Sequence, residues 1–420
     1  PDFVDSLYEV FPDNAVSILT TVILPLVHNS IENESDQFPE SYASLVVKLP
    51  TDYFVANEVP YLQELVQNED AFMRMTVASI LLFLVEHIDP SLYYDSLLSI
   101  LTTLSTDDDE DIRAKIPALI ALFTKQLKSP RQKALLSGKI VLFTHDSCSD
   151  VRTATAECLT TLCLALDPSS RLVTVIPVVR LLLNDQCEQT RNSMRSNLGP
   201  IISQLGKFAD RSLVSQFCNS LLSPDVNICF TSAYSFPAVA LSIGPERFDE
   251  LRSGLETAAS SREYKVRRTL SFGLIEFASI LKKEFLLELL TTFLRDIPTV
   301  AIGIFANYDR YLKLIEDRKD EFLTYLQNPQ KYSEWRLRLT ISQQCRKLTQ
   351  FFQREDLLEI VKPLTTDKVY TVRKDAAITF SLFMNEQDIE FIKTLSDSSQ
   401  FYEREEAANI IEYSSHNWIQ

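Results

Sequence analysis

The residues able to do chemistry in this sequence are few and poorly spaced for it. Histidine stands at 28, 87, 145 and 416, and cysteine at 148, 158, 163, 187, 218, 229 and 345. The single metal-like pair is His145-Asp-Ser-Cys148. A structural zinc site takes four ligands, usually as two spaced pairs, and no second pair accompanies this one. The sequence has no GxxxxGK(S/T) or GxGxxG phosphate loop, no HExxH and no GxSxG, so phosphate, metalloprotease and nucleophile-elbow chemistry lack their frames. Carboxylates are abundant, but they cluster in stretches such as Asp107-Asp-Asp-Glu-Asp111, which read as solvated helix caps. No catalytic residue, no metal ligand set and no cofactor is expected. The odd, scattered cysteines without a CxxC suit a reducing compartment, so a cytoplasmic or also nuclear location is expected.

Composition points to the elements that carry these residues. Hydrophobic residues make up 45% and charged residues 23% of the 420, which is ordinary for a folded chain. Only 7 glycines occur. Sandwiches, barrels and nucleotide-binding sheets need glycine at their turns and phosphate loops, so helices joined by short turns are expected. The net charge of −16 is uneven. Residues 1–111 hold 21 Asp and Glu against Lys48 and Arg74 alone, a net of −19. That excludes a basic phosphate-binding surface and hence a nucleic-acid partner. It suits either a basic protein partner or simple solubility. The longest apolar runs, Ser17–Val27 and Val77–Val85, are too short to span a bilayer, so no membrane insertion is expected. The chain starts at Pro1 and reads as processed or trimmed, with no signal peptide in the sequence given.

A short pattern recurs: an acidic turn, an aliphatic residue, an arginine, and a small or apolar residue four positions later. Its arginine falls at 74, 113, 152, 191, 267, 338, 373 and 404, with Cys229 and Ala301 in the same column. The steps are 39, 39, 39, 38, 38, 34, 37, 35 and 31 residues. A period near 39 marks a solenoid of paired helices of the HEAT type. After Met73 the apolar positions are Val77, Ile80, Leu81 and Leu84; after Ile112 they are Ile116, Leu119, Ile120 and Phe123. Both sets make one buried stripe on a helix. A partner helix precedes each turn, as in 172–184 and 283–296. The fold class is therefore all-α, a HEAT-repeat α-solenoid of ten to eleven stacked antiparallel pairs, expected as one curved rod over 1–420. Residues 1–60 read as atypical N-terminal repeats, with helices over 14–32 and 40–54, residues 60–300 as central repeats, and 300–420 as C-terminal repeats. The repeated arginine, in register with the acidic turn beside it, predicts an Asp–Arg ladder between repeats. Cys229 and Ala301 should interrupt that ladder and are candidates for a bend.

In such a stack the turns inside the repeats emerge along one edge, where partners bind. The stretch YSEWRLRLT places Trp335 and Arg336 just ahead of the pattern's own Leu337-Arg338, on that edge. Trp and Arg are the commonest hot-spot residues. The next turn offers Lys368 and Tyr370, and the last offers Phe401 and Arg404. Upstream the edge offers Asp70 with Phe72, then Asp109 and Asp111. An acidic edge at one end and an aromatic–basic edge at the other imply two partners. The alternative is that these aromatics merely pack over the neighbouring turn.

The sequence resembles the scaffold (A, 65-kilodalton regulatory) subunit of protein phosphatase 2A. The resemblance is carried by PTVAIGIFANYDRYLKLI, EWRLRLTISQQCRKLTQFF and DKVYTVRKDAA within 298–380, and by 147–166 and 23–35. It implies a non-catalytic scaffold with a Ser/Thr phosphatase catalytic subunit on the C-terminal edge and a variable regulatory subunit on the N-terminal edge. By position, Trp335 and Arg336 match catalytic-subunit contacts. Lys368, Tyr370, Phe401 and Arg404 fall in the following turns. Asp70 and Phe72 match a regulatory-side turn, with Asp109 and Asp111 in the next. The chain stops soon after Arg404, so about two repeats of that scaffold are expected to be lacking. A relative of the phosphatase 4 regulatory subunit 1 kind fits equally. Two other readings remain open on the residues alone: a karyopherin-like transport receptor, and a generic HEAT adaptor.

Overall fold

The computed structural model describes residues 2–11, 13–31 and 38–417. Every regular element among them is helical. The end of the 23–35 stretch lies outside the described residues. Two compact units divide the chain, Pro1–Phe208 and Ala209–Gln420.

The second helix of each repeat carries the organisation. In the first unit these are α1 (Ala71–Leu84), α2 (Glu110–Gln126), α3 (Ser149–Ala165) and α4 (Glu188–Leu205). In the second they are α5 (Val226–Ile243), α6 (Tyr264–Phe277), α7 (Pro298–Phe305), α8 (Trp335–Cys345), α9 (Tyr370–Phe383) and α10 (Phe401–Asn417). Within each unit, every one of these helices packs on the next of its kind. Most also pack on a first helix that precedes their turn, such as Tyr94–Ser105 before α2 and Lys283–Leu294 before α7.

The stripes read from sequence are the core. α1 buries Met73, Val77, Ile80, Leu81 and Leu84; α2 buries Ile112, Ile116, Leu119, Ile120 and Phe123. Helix starts are fixed by side-chain caps. Asp70 accepts from the Phe72 N–H at 2.9 Å, and Asp109 accepts from the Asp111 N–H at 2.9 Å. Each satisfies a backbone donor that the first helical turn leaves open. α4 and α5 stop at Gly206 (φ 55°) and Gly244 (φ 88°), a backbone region that glycine enters without steric cost.

Three local expectations change. Residues 40–54 are not one helix: Phe38–Val46 ends, Pro50 takes an extended ψ of 135°, and a new helix starts at Thr51. Proline lacks the N–H that a continuing helix would use. α7 is short, and a separate helix, Tyr308–Leu314, follows at once. Val226–Ile243 is, by length and composition, apolar enough to cross a membrane, although 56% of it is buried in the fold. Its serines, threonine and tyrosine break up the apolar run, which is why inspection for continuous runs passes over it.

Candidate protein-interaction edge

The turns are stitched to one another by the arginine column. Arg74 places Nε 2.7 Å from Asp107 Oδ2 and Nη2 2.9 Å from Asp107 Oδ1. Its Nη1 donates to the carbonyls of Asn68 and Glu69 in its own turn, both at 2.9 Å. Arg113 repeats this on Asp146 (2.8 and 3.0 Å) and Arg152 on Asp185 (2.7 and 3.0 Å). In the second unit Arg267 engages Asp296 (2.6 and 2.9 Å) and Arg338 engages Asp367 (2.5 and 2.9 Å). These are two-pronged, charge-assisted contacts. Each aspartate also accepts a backbone N–H of its own turn, as Asp146 does from Cys148 at 2.9 Å. The expected ladder is thus present, and its arginines belong to the framework rather than to a ligand. The arginine hydrogen bonds hold the Asp107 and Asp146 carboxyls below the usual range, and the same contacts raise Arg74 and Arg113.

The column fails at the two expected positions, Cys229 and Ala301, and also at Arg191, which donates only to the Asp185 and Gln186 carbonyls of its own turn. Cys229 has no guanidinium to offer, and its Sγ donates to the Ser223 carbonyl at 2.8 Å. Ala301 is fully buried. Ser223 and Ser261 stand where the first three rungs place aspartate.

On the C-terminal edge, Asn328 adopts the left-handed region (φ 53°), which asparagine tolerates. It turns the chain into Pro329–Lys331 and then the turn before α8. Glu334 caps α8 by accepting from the Arg336 N–H at 3.3 Å. Trp335 and Arg336 are therefore the first two helical residues. Trp335 is half-buried and Arg336 exposed. The guanidinium lies 4.7 Å from the Trp335 ring centroid and 3.4 Å from Glu334 Oε1. Lys368 and Tyr370 are exposed one turn on, and Phe401 and Arg404 at the last turn. Two of these have framework duties that the sequence does not show. The Arg373 guanidinium sits between Tyr370 and Tyr402, 5.7 and 5.1 Å from their centroids. Arg404 donates to the Ser398 carbonyl at 2.7 Å, as a column arginine does. At the other end Asp70 and Asp109 are caps, Phe72 is half-buried, and Asp111 is exposed.

A cleft of about 420 Å³ opens between the Trp335 and Lys368 turns, lined by Gln330, Tyr332, Ser333, Thr366, Asp367 and Lys368. Sequence reasoning missed Gln330, Tyr332 and Thr366. Tyr332 had a signal: it occupies the column position held by Asp, Asn or Ser in most other repeats. Its hydroxyl donates to the Tyr325 carbonyl at 2.9 Å, and burial pushes it up to about 12. Among the described residues no three His, Cys, Asp or Glu side chains gather as metal ligands. The edge offers aromatic faces, cations and carboxylates for protein contact.

The fold and edge define a HEAT-repeat helical solenoid. Kap95 in complex with Nup1 superposes with a TM-score of 0.61 at 11% identity, over 94% of this chain and 56% of that one. Kap121p bound to Pho4p gives 0.60 at 13%, over 98% and 51%. Importin beta gives 0.53 at 13%, over 96% and 58%. At these identities the likeness is one of fold.

The particular likeness is in sequence. Over 161 residues the chain is 34% identical to human serine/threonine-protein phosphatase 4 regulatory subunit 1, and equally to the mouse protein. That segment is 36% of this chain and 17% of the relative. No family model matches the chain.

Proposed function

We propose that the chain is a non-catalytic scaffold of a Ser/Thr protein phosphatase of the 2A type. In this reading the catalytic subunit docks on the edge from Trp335 to Arg404, against Trp335, Arg336, Lys368, Tyr370 and Phe401. A substrate-selecting regulatory subunit docks on the edge carrying Asp70, Phe72, Asp109 and Asp111. The observation that carries it is the stacked Trp335–Arg336 pair at the start of α8, beside an open cleft. The similarity to a phosphatase regulatory subunit supports it. An aromatic and a cation stacked at a helix start present an anchor whose rotamers are already restricted, which lowers the ordering cost of binding. Holding enzyme and substrate receptor on one chain raises the local concentration of substrate at the active site.

The test is retention of purified phosphatase 2A and phosphatase 4 catalytic subunits on the immobilised chain, read by phosphatase activity. Wild type should retain one of them, and Trp335→Ala/Arg336→Glu should release it at least tenfold more readily. Absence of retention at micromolar concentration overturns the reading. Capture instead of a basic localisation peptide or a Ran-type GTPase would place the chain with transport receptors.

A further inference from the structure

The exposed faces of α5 and α6 carry an aromatic surface that the repeat scheme leaves unused. On α5 the outward line is Val226, Phe230, Tyr234 and Leu241, spaced 4, 4 and 7. Tyr234 is 75% exposed, Phe230 43% and Leu241 47%. The opposite side of α5 is core, so apolar residues occupy both sides of the helix, which is why it passes for a membrane span by length and composition. On α6, Phe272 is 38% exposed, and the Arg268 guanidinium lies 4.8 Å from its ring centroid.

The two lines form one surface. α5 and α6 are successive second helices and touch where Pro237 meets Gly273: a Cβ on Gly273 would stand 2.8 Å from Pro237 Cγ. At about 100° per residue, Phe230, Tyr234 and Leu241 fall on one side of Pro237. Phe272 and Arg268 fall on the opposite side of Gly273. Parallel helices meeting at those points turn both lines toward the same solvent. Phe272 is held in place from behind, because its backbone N lies 2.8 Å from where a Cβ on Gly303 would be. Tight backing of this kind makes a rigid anchor.

Charge selects the occupant. Arg262, Lys265 and Arg268 are exposed along the turn and first part of α6. None has a carboxylate at ion-pair distance among the described residues. The exposed carboxylates on this helix are Glu263 at the turn and Glu276 at the far end. Scattered exposed apolar side chains need no explanation, but a contiguous aromatic face rimmed by unpaired charge marks an interaction site.

We propose that this face binds an acidic amphipathic segment of a partner protein, its apolar side chains over Phe230, Tyr234 and Phe272 and its carboxylates on Lys265 and Arg268. The inference stands apart from the phosphatase reading and from the Trp335 edge.

The probe is a fluorescein-labelled synthetic helix-forming peptide with leucines at i, i+4 and i+8 and glutamates beside them. Its twin has lysine for every glutamate. Anisotropy should show the full chain binding the acidic peptide, more weakly as salt rises, and the twin at least tenfold more weakly. Phe230→Ser/Tyr234→Ser should weaken the acidic peptide about tenfold, and Tyr234→Ser alone should weaken it with an unchanged melting curve, since Tyr234 is 75% exposed. Lys265→Glu/Arg268→Glu should reverse the preference between the twins. Equal binding of the two peptides, or wild-type binding by both variants, overturns the proposal. So does failure of the acidic peptide to bind at millimolar concentration. Phosphatidylserine vesicles, or a second copy of the chain, occupying the face while the peptide does not compete would also overturn it.

Discussion

Arg338 and Asp367 form a buried two-pronged ion pair, and Asp367 serves a second arginine through its carbonyl. Nε and Nη2 of Arg338 meet the carboxylate at 2.5 and 2.9 Å, while Nη1 of Arg373 donates to the Asp367 carbonyl at 2.9 Å. One aspartate thus couples two turns. Removing one partner of a buried pair strands the other charge, at a cost of roughly 3–5 kcal/mol. Asp367→Asn should lower the urea stability of the second unit by about that range. Lys128→Ala removes an exposed pair with Asp89 and should change stability by less than about 1 kcal/mol. Equal effects would mean that the ladder is ornamental.

The pH dependence should differ between the turns of the first ladder rungs and α10. Arginine hydrogen bonds depress the Asp107 and Asp146 carboxyls. A depressed carboxylate stabilises the fold above its ordinary value of about 4 and loses that contribution as pH falls through the depressed value. Turns 107–109 and 146–148 should stay protected from pH 8 to about 5 and loosen below about 4. Glu406 behaves oppositely. It is fully buried between α9 and α10, 3.4 Å from Arg373 Nε, and burial raises its carboxyl. A raised carboxyl stabilises below its ordinary value and loses that as pH rises through the raised one. Hydrogen exchange, corrected for intrinsic rate, should show α10 better protected in mild acid than at neutral pH. Glu406→Gln should flatten that slope.

How much of this was legible in sequence follows from what sets each feature. The stripes of α1 and α2 are periodic and were read residue by residue. The Asp–Arg rungs were read too, because both partners recur at a fixed step. Trp335 and Arg336 were placed at an exposed helix start from their offset to Leu337-Arg338. Duties set by the neighbouring repeat were not legible. In sequence Tyr370 is a free aromatic, whereas in the fold Arg373 lies against it, and Tyr332 acquires meaning only beside Thr366 and Lys368. The break at Pro50 is set by a residue visible in the sequence, because proline lacks the N–H that a continuing helix would use. The face on α5 is hard to read in sequence because its residues are four apart in a helix whose other side is also apolar, and the strip of Asn227, Thr231, Ser235 and Ser242 beside it is narrow.

Glycine substitutions should separate close packing from mere flexibility. A Cβ on Gly303 would stand 2.8 Å from the Phe272 backbone N and from its ring. Backbone cannot step aside cheaply, so Gly303→Ala should cost about 1–3 kcal/mol. Nothing lies within 4 Å of a Cβ on Gly138, which is helical at φ −60°. There alanine restricts only the unfolded chain, and Gly138→Ala should stabilise by about 0.4–1 kcal/mol. Thermal melts of the two variants moving in the same direction would contradict the packing assigned to α6 and α7.

The interrupted column offers a constructive test of the ladder. Position 229 is the arginine site of its repeat, and Ser261 is the acceptor site of the next. Cys229 supplies only the inward bond, to the Ser223 carbonyl at 2.8 Å. Cys229→Arg alone would bring a guanidinium into a buried position with Ser261 and not a carboxylate at the acceptor site, and should destabilise. Ser261→Asp alone adds a carboxylate that can still accept the Glu263 N–H, now taken by the Ser261 hydroxyl at 3.2 Å, and should be near neutral. Together they recreate the geometry of Arg152 on Asp185. The double variant should recover most of the loss, with a coupling of about 1–3 kcal/mol in a double-mutant cycle by urea unfolding. A coupling near zero would show that a rung needs more than the right residues in register, and that the step from Ser223 to Ser261 is built differently from the steps before it.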